Sequence, residues 1–271
     1  MKKYYKFLRK SLVELKKNDG FTLAEVLITL GIIGVVAAMT IPTLIANVQG
    51  QRVRSQFKKT LSTLNQAGRM AQAQYDWDFG AVEGAGGDNS CAADNPETTK
   101  TMCALLNGTL KGRSYNGVSN TYYKDNVTKL YSGFSNKSDM LASDYLVYQL
   151  TDSAIFGFYR GGSSGPVGNC TLPTGNVLNS TVLSTYGVVY GGSQGMQTRL
   201  GLKQCIGFID VNGISLPNKE VTCADGSTVL DPQNPCVVSN KNLGDIIPVV
   251  FHDGVVEPAT NAVKYLLNTA K

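Results

Sequence analysis

Several side chains in the last third of the chain have oxygen atoms that could bind a metal cation. Ca²⁺ in proteins takes about six to eight oxygens from carboxylates, amides and backbone carbonyls. The candidate calcium ligands are Asp210, Asn212, Asn218 and Asp245. The simpler interpretation is that Asn212-Gly213 and Pro217-Asn218 form turns and that no cation binds there.

Two windows, 161–165 and 191–195, have the G-x-S-x-G pattern that surrounds a nucleophilic serine in hydrolases. Ser193 of the second window is followed along the chain by aspartates and then by His252, which is the order found in α/β-hydrolases. The pattern requires a helix directly after the serine, and Met196–Lys203 has no helical pattern. Because the chain has 29 glycines, such windows arise by chance, and we expect no enzymatic activity.

The cysteines favour disulfides over a metal centre. Their number is even, no C-x-x-C pair occurs, and His252 is the chain's one histidine, whereas zinc sites usually combine closely spaced Cys and His. We therefore predict disulfides formed in an oxidising compartment. Cys91 and Cys103 are close enough in sequence for a disulfide between them to close a loop, and the pairing of the other cysteines stays open. The six candidates are Cys91, Cys103, Cys170, Cys205, Cys223 and Cys236.

A carboxylate interrupts the apolar segment Phe21–Ala46, which is long enough to span about 30 Å of hydrocarbon as a helix. Burying Glu25 near the bilayer centre would cost about 2.5 kcal/mol or more, so such a residue usually has a partner. Glu25 lies near one end of the segment, where snorkelling lowers that cost. An interfacial carboxylate without a role, in an ordinary signal anchor, is the alternative.

The positive charge of the chain is concentrated before this segment. Residues 1–20 hold seven Lys/Arg and two acidic side chains, and the rest of the chain holds 18 of each sign. The basic leader predicts a cytoplasmic N-terminus and an exported C-terminal part. Because the remainder is neutral, binding to nucleic acid is not expected. A local group could bind an anion, although a solvated helix face is simpler; it comprises Arg52, Arg54, Lys58 and Lys59.

The residues around Glu25 resemble a known processing site. The segment Lys17–Leu27, with Gly20, Phe21 and Glu25 in the same relative positions, is similar to the prepilin cleavage and methylation motif of type IV pilins and type II secretion pseudopilins. The resemblance implies that prepilin peptidase cuts after Gly20 and methylates the new amine of Phe21. Glu25 then becomes the fifth residue of the mature chain, and Pro42 falls where such helices commonly carry a proline.

The resemblance also implies a function. It indicates a filament subunit of the bacterial inner membrane, with a cytoplasmic N-terminus, a periplasmic C-terminal domain, and other pilin-like subunits and the inner-membrane assembly machinery as partners. Glu25 of one subunit would pair with the Phe21 ammonium of a neighbour and set the register. Some major pseudopilins bind calcium in a C-terminal loop, to which Asp210–Asn218 is similar. We favour a secretion pseudopilin; the alternatives are a type IV or DNA-uptake pilus subunit and a membrane-anchored periplasmic binding or adhesion protein.

Helical periodicity continues beyond the apolar segment. Apolar residues recur at steps of three and four, the spacing of one helix face: Val53, Phe57, Leu61, Leu64, Gly68, Ala71 and Tyr75. We predict one interrupted helix from about Phe21 to Tyr75, with bends or local melting near Pro42. In domain terms, 1–20 is a cleaved leader, 21–46 the transmembrane or filament-core helix, 47–78 its amphipathic continuation, and 79–271 an extracytoplasmic α+β domain with disulfides.

The globular part combines a loop-rich region at 80–140 with later strand signals. Aromatic and β-branched segments predict strands, the first two as a hairpin, and a short helix is predicted at Asn261–Asn268. The predicted strands are Tyr145–Leu150, Ile155–Tyr159, Thr185–Tyr190, Cys205–Val211 and Ile246–Phe251. The expected fold class is therefore α+β, with a long N-terminal helix packed on an antiparallel sheet, as in pilins.

Overall fold

The computed structural model describes residues 20–83, 91–118, 123, 145–159, 188–190, 196–198, 204–225 and 236–269. The chain divides into two units, Met1–Asn47 and Val48–Lys271. Helix α1, Leu23–Tyr75, contributes its first part to one unit and its second part to the other.

Helix α1 is continuous through Pro42, so the local melting expected there does not occur. Proline removes one backbone donor and leaves the rest of the hydrogen-bond ladder in place. Hydroxyl groups near the proline also bond to helix carbonyls: Thr40 Oγ1 donates to the Val36 oxygen at 2.9 Å and Thr43 Oγ1 to the Thr40 oxygen at 2.8 Å. These polar side chains are thus satisfied within the helix, as an apolar environment requires.

The first unit presents apolar side chains on all sides of the helix. Phe21 is 88% exposed, and the large aliphatic residues from Leu23 to Ile45 are exposed as well. By length and composition, α1 is able to cross a membrane, and it lies near the N-terminus. A helix that is hydrophobic all round needs an apolar environment other than its own subunit.

Helix α1 ends at Tyr75, where the helical periodicity predicted its end. Asp76 has a φ of 60°, which is the left-handed conformation that commonly stops a helix. A 3₁₀ turn, Phe79–Ala81, follows, and the Asp78 side chain accepts a hydrogen bond from the Gly80 N–H at 2.9 Å. The chain therefore leaves the helix through a capped turn.

The second unit contains a six-stranded antiparallel sheet in the order β1-β2-β3-β6-β7-β8. A separate pair, β4 and β5, is also antiparallel. Two short helices complete the described elements, α2 at Met102–Thr109 and α3 at Asn261–Asn268. The strands are β1 Ser114–Val118, β2 Tyr145–Gln149, β3 Ile155–Tyr159, β4 Val188–Tyr190, β5 Met196–Thr198, β6 Gln204–Asp210, β7 Ile246–His252 and β8 Val255–Pro258.

The core lies between the second part of α1 and the sheet. Phe57, Leu61 and Leu64 of the predicted helix stripe are buried in one cluster with Phe156 of β3 and Phe251 of β7. At Gly68 the packing is close: an added Cβ would lie 2.6 Å from the Phe79 ring and 2.7 Å from the Gly254 oxygen. The predicted α+β class, a long apolar N-terminal helix packed on an antiparallel sheet, is confirmed.

Most strand predictions are confirmed within a residue or two. The β2–β3 hairpin joins the predicted segments, and α3 has the predicted bounds. Of Thr185–Tyr190, the structure describes 188–190 as β4. The elements not predicted are α2, β1, β5 and β8. They are short and lack clear periodicity, and α2 depends on the Thr101 cap and on a disulfide rather than on a long helical pattern.

Candidate functional site

The predicted processing site lies at the start of α1. Gly20 and Phe21 precede the first helical residue, Leu23, and both are exposed. An added Cβ at Gly20 would meet nothing within 4 Å. The peptide bond after Gly20 is therefore outside regular structure and open to an approaching enzyme.

Thr22 and Glu25 form a reciprocal cap at this helix end. The Glu25 carboxylate accepts hydrogen bonds from both the N–H and the hydroxyl of Thr22, each at 2.9 Å. In return, the Glu25 N–H donates to Thr22 Oγ1 at 3.3 Å. This is a capping box, which satisfies backbone donors that the first helical turn leaves unpaired. Glu25, which the sequence predicted as an assembly residue, thus caps its own helix.

Sequence reasoning missed Thr22, although the signal was present. The spacing Thr22-x-x-Glu25 directly before an apolar run is the known pattern of a capping box. A carboxylate in the first turn also interacts favourably with the positive end of the helix dipole. Glu25 is therefore held at the helix start by local chemistry, before any neighbouring subunit is considered.

The four predicted calcium ligands lie in one loop system. Asp210 ends β6, where it is the register partner of Ile155 on β3 and Ile246 on β7. Asp245 directly precedes β7, and its backbone oxygen accepts from the Val211 N–H at 3.1 Å. Sheet pairing thus brings together two aspartates that are far apart in sequence.

Both carboxylates organise the backbone of the loop. Asp245 accepts from the Asn218 N–H at 2.9 Å and from the Lys219 N–H at 2.7 Å. Asp210 accepts from the Asn212 N–H at 3.3 Å. Gly213 has a φ of 68° and Asn218 a φ of 46°, so the two predicted turns require left-handed backbone. These turns are confirmed.

Tyr123 is a contact of Asp210 that the sequence did not reveal. Its hydroxyl donates to Asp210 Oδ2 at 2.7 Å, and both side chains are buried. Burial raises the pKa of Asp210 to about 8, despite the hydrogen bond from Tyr123, and the nearby charge of Asp245 adds to the rise. Without a bound cation, the Asp210 carboxyl is therefore mostly protonated at neutral pH, which removes one negative charge from its buried place beside Asp245.

Two amide oxygens of the loop are also unsatisfied. Asn212 Oδ1 and Asn218 Oδ1 are buried and have no hydrogen-bond partner in the described part of the chain. Their amide nitrogens instead bond to loop carbonyls, Asn212 Nδ2 to the Ser215 oxygen at 3.0 Å and Asn218 Nδ2 to the Ile214 oxygen at 3.3 Å. Neutral amide oxygens beside carboxylates are the ligand type that Ca²⁺ accepts.

Charged side chains by themselves do not form a complete metal site in the described part of this loop. Among the described residues, no group of three or more His, Cys, Asp or Glu side chains is arranged to hold a metal ion. A cation bound here would therefore depend on Asn212, Asn218 and backbone carbonyls together with Asp210 and Asp245. The donor chemistry fits a hard cation and does not fit zinc.

The cysteines that the structure describes form disulfides, as predicted. Cys91 bonds to Cys103, and Cys223 bonds to Cys236. Cys205 is also disulfide-bonded, and Cys170 lies outside the described residues. The first bridge holds the loop before α2 against the core, where Cys91 Sγ lies 3.0 Å from the Tyr148 hydroxyl.

The alternative hydrolase site gains no support from the described residues. Both G-x-S-x-G windows, 161–165 and 191–195, lie outside them. Met196–Thr198 directly after the second window is strand β5, whereas a nucleophile elbow requires a helix there. His252 is engaged elsewhere: Nδ1 lies 3.0 Å from Asp253 and Nε2 3.4 Å from Glu257.

Comparison with known proteins identifies the N-terminal site. Residues 15–41 match the family model described as the prokaryotic N-terminal methylation motif. No curated protein and no solved structure matches the chain. The matched residues include Gly20, Phe21 and the Thr22–Glu25 cap. The chain therefore carries the type IV pilin and pseudopilin signature, which supports its place among the type IV pilin-like subunits.

Proposed function

We propose that this chain is the precursor of a type II secretion pseudopilin. Prepilin peptidase cuts it after Gly20 and methylates Phe21, and the mature subunit assembles into a filament through the first part of α1. The observation that carries the proposal is the coincidence of the methylation motif with an exposed, all-round apolar helix whose sole charge before Arg52 is Glu25.

Assembly follows from the energetics of that helix. Its apolar side chains are stable in lipid before assembly and against other such helices afterwards. Cleavage leaves an ammonium on Phe21, and methylation keeps that amine cationic. In a staggered packing, the Glu25 carboxylate of one subunit meets the Phe21 ammonium of the next. Each charge is costly alone in an apolar core and tolerable as a pair, so the pair selects one register.

The proposed location follows from the same segment. The basic leader keeps the N-terminus in the cytoplasm, α1 crosses the inner membrane once, and the second unit lies in the periplasm. Disulfides at Cys91–Cys103 and Cys223–Cys236 agree with an oxidising compartment. Prepilin peptidase, other pilin-like subunits and the inner-membrane assembly machinery are the proposed partners.

We prefer a pseudopilin to a DNA-uptake pilus subunit because of charge, and to a type IV pilus subunit because of the proposed calcium loop. The chain beyond residue 20 is neutral, which does not favour a DNA-uptake pilus. Salt-dependent DNA binding by the mature protein would reverse that preference. A membrane-anchored binding or adhesion protein would function with its leader uncut, whereas a filament subunit requires the peptidase.

N-terminal mass spectrometry of the membrane-bound protein from its native host tests the proposal directly. We expect a mature chain that begins with N-methylated Phe21. A host without the peptidase should retain the leader and lose the filament. A chain that keeps Met1 in the presence of active peptidase would contradict the proposal and favour a plain membrane anchor.

As part of the same proposal, the loop at Asp210–Asn218 binds calcium. The support is the pair of buried carboxylates of Asp210 and Asp245 beside the unpaired oxygens Asn212 Oδ1 and Asn218 Oδ1. Bound Ca²⁺ would neutralise the carboxylates and hold the loop against β7. The alternative, turns without a cation, remains the simpler arrangement for the same backbone.

Thermal unfolding of the full-length protein in detergent tests this part. A ligand at about 100 times its Kd stabilises the folded state by about 2.7 kcal/mol, so calcium should raise Tm over a chelated sample. The double variant Asn212→Ala/Asn218→Ala should lose the response, and the control Asn116→Ala on β1 should keep it. An unchanged wild-type Tm in calcium would argue for turns alone.

A further inference from the structure

Charges of opposite sign are segregated within the second unit. Residues 48–58, where α1 enters this unit, contain three basic side chains and no acidic one. Residues 76–83 and 91–97, which follow the end of the helix, contain five acidic side chains and no basic one. The neutral total of the chain beyond residue 20 therefore conceals two regions of opposite charge.

A contact between distant segments adds a lysine to the basic region. An ideal Cβ at Gly50 would lie 3.5 Å from Leu243 Cδ2, so the loop at 239–243 packs against this part of α1. The loop carries Lys241, which is exposed. The exposed cations of this region, here named the basic end, form no ion pair with a described residue; they are Arg52, Lys58 and Lys241.

A second contact gathers the acidic region around the other end of α1. Trp77 Nε1 donates a hydrogen bond to the Pro96 oxygen at 3.3 Å. Asp76 and Glu97 are the direct chain neighbours of these two residues, so the contact brings them close together. Both are exposed and form no ion pair with a described residue. Asp76 and Glu97 are here named the acidic end.

Little within the described part of the subunit compensates the acidic end. The last turn of α1 has no basic residue, and the negative end of the helix dipole disfavours a carboxylate such as Asp76 beside it. Arg69 precedes Asp76 by about 10 Å along the helix, which is about one Debye length at physiological salt. Lys100, whose backbone oxygen accepts from the Glu83 N–H at 2.7 Å, supplies one cation against five acidic side chains.

The two ends are too far apart to neutralise each other within one subunit. Arg52 and Tyr75 are separated by about 35 Å along α1, which is about four Debye lengths. Two parallel copies without a stagger would place ends of like charge together. A shift of about one such length would instead place the basic end of one copy against the acidic end of the next.

We propose that the basic end of one subunit binds the acidic end of a second copy of this chain. The inference rests on the proposed function, because subunits that insert in the same direction pack in parallel. The contact joins two different surfaces, so each copy keeps one of them available and the assembly grows as a filament instead of closing into a dimer. Complementary charges also disfavour the unstaggered arrangement.

Two exposed aliphatic side chains favour a protein partner over a soluble anion. Ile214 is 62% exposed and Leu216 is 70% exposed. Their loop leads into Lys219, whose backbone lies directly against Gly244, beside the loop of Lys241. Protein interfaces combine apolar contacts with a charged rim, as this region does. A nucleic acid would leave the acidic end unused, whereas a second copy of the chain uses both ends.

Carbodiimide coupling tests the contact on the full chain, in membranes and sheared filaments from the native host. The reagent joins a lysine to a carboxylate only where the two side chains touch. A link from Lys58 or Lys241 to Asp76 or Glu97 must join two copies, because Lys58 is already about 26 Å from the end of α1 in its own subunit. Mass spectrometry of the digested product identifies the linked residues.

Charge reversal provides the variants. Arg52→Glu/Lys58→Glu reverses the basic end, Asp76→Lys/Glu97→Lys reverses the acidic end, and a combined variant carries all four changes. We expect each reversal alone to lower the yield of end-to-end links and of filaments by about tenfold. The combined variant should regain both, with lysine and carboxylate exchanged. A reversal that merely unfolded the subunit would not be rescued in this way.

The matched control is Arg69→Glu/Lys100→Glu, which makes the same change of charge at two exposed cations outside the basic end. It should retain links and filaments. Equal loss in the control, or no rescue in the combined variant, would overturn the inference, as would links from the basic end to a different protein.

N-terminal mass spectrometry of the same samples separates this inference from the proposed function. Processed chains that begin at Phe21 but form no end-to-end link would overturn the contact and leave the processing intact. End-to-end links between chains that keep Met1 would support the contact and contradict prepilin processing.

Discussion

The Glu25 carboxylate accepts two hydrogen bonds from Thr22, one from its N–H and one from its hydroxyl, each at 2.9 Å. In the isolated subunit, Glu25 therefore already has a partner for its charge. On assembly the same carboxylate is proposed to meet the Phe21 ammonium of a neighbour. Under the proposed function, Glu25 would thus serve both in capping and in assembly, and substitutions at Thr22 and Glu25 separate the two roles.

Replacement of the charge should affect assembly and not processing. Glu25→Gln keeps an acceptor for the Thr22 N–H and removes the negative charge, so the helix start is preserved while the pairing with Phe21 is lost. We expect cleavage after Gly20 to continue and filaments to be absent or strongly reduced. Mass spectrometry of the N-terminus and the yield of sheared filaments measure the two effects. Normal filaments from this variant, or from Glu25→Ala, would refute the pairing role.

Loss of the Thr22 hydroxyl should weaken the start of α1 and leave filament assembly intact. Thr22→Val removes the two hydrogen bonds of the hydroxyl and keeps both the backbone bond to Glu25 and the Glu25 charge. Loss of an N-cap side chain costs about 1 kcal/mol. We expect faster amide hydrogen exchange in the first turn of α1 and retained filament formation. Thr22→Ser, which keeps the hydroxyl, is the control. Unchanged exchange in Thr22→Val would show that the capping box contributes nothing to the helix start.

The contact between α1 and the last strand predicts a stability effect. Asn65 Oδ1 accepts from the Val256 N–H at 2.7 Å, and Asn65 Nδ2 donates to the Val256 oxygen at 3.3 Å. Asn65→Ala leaves both backbone groups without this partner, which should lower the free energy of unfolding by about 1–3 kcal/mol. The control Gln66→Ala, at the exposed next position, should change it little. Equal unfolding midpoints for the two variants in urea would contradict this.

The first disulfide should be needed for the stability of the region around α2. Cys91 and Cys103 are separated by 12 residues and are buried. Closing a loop of this size restricts the unfolded chain by about 3 kcal/mol in the entropic model. Cys91→Ser/Cys103→Ser should therefore unfold at lower denaturant concentration, and Thr101-capped α2 should exchange amide hydrogens faster. An unaltered midpoint would show that packing alone holds this segment.

The hairpin of β7 and β8 should be more stable at low pH. Burial lowers the pKa of His252, but hydrogen bonds and charges from Glu257 and Asp253 outweigh it and raise the pKa above its ordinary value of 6.5. The stabilisation is therefore complete below 6.5 and is lost as pH rises through the higher folded-state pKa. The hydrogen bond with His252 lowers the pKa of Glu257. When the pH falls below that pKa, Glu257 becomes neutral and its ion pair with His252 weakens.

Thermal melting across this range measures the effect. Wild type should exceed His252→Asn in Tm by the largest margin just below pH 6.5, and the margin should shrink at alkaline pH. Glu257→Gln should reduce the margin because it removes one of the two carboxylates that stabilise the imidazolium. A margin independent of pH would mean that His252 contributes through packing and not through its charge.

Local patterns in the chain were sufficient for several features. The spacing of Gly20, Phe21 and Glu25 predicted the motif that the family model confirms. Steps of three and four residues predicted the buried stripe with Phe57 and Leu64, because helical geometry places such residues on one face. The β2–β3 hairpin and α3 were predicted for the same reason, since each depends on short-range periodicity and turn chemistry.

Other features required the fold. Pairing of β6 with β7 places Asp210 opposite Ile246 and therefore near Asp245. Burial raises the pKa of Asp210, and the hydrogen bond from Tyr123 opposes that rise. Likewise, Lys59 forms an ion pair with Asp152, whereas Arg54 Nε has no hydrogen-bond partner among the described residues, although the four cations of this segment look equivalent in sequence. Short-range periodicity is a property of neighbouring residues, whereas burial and partner choice depend on contacts between distant segments that form only when the chain packs.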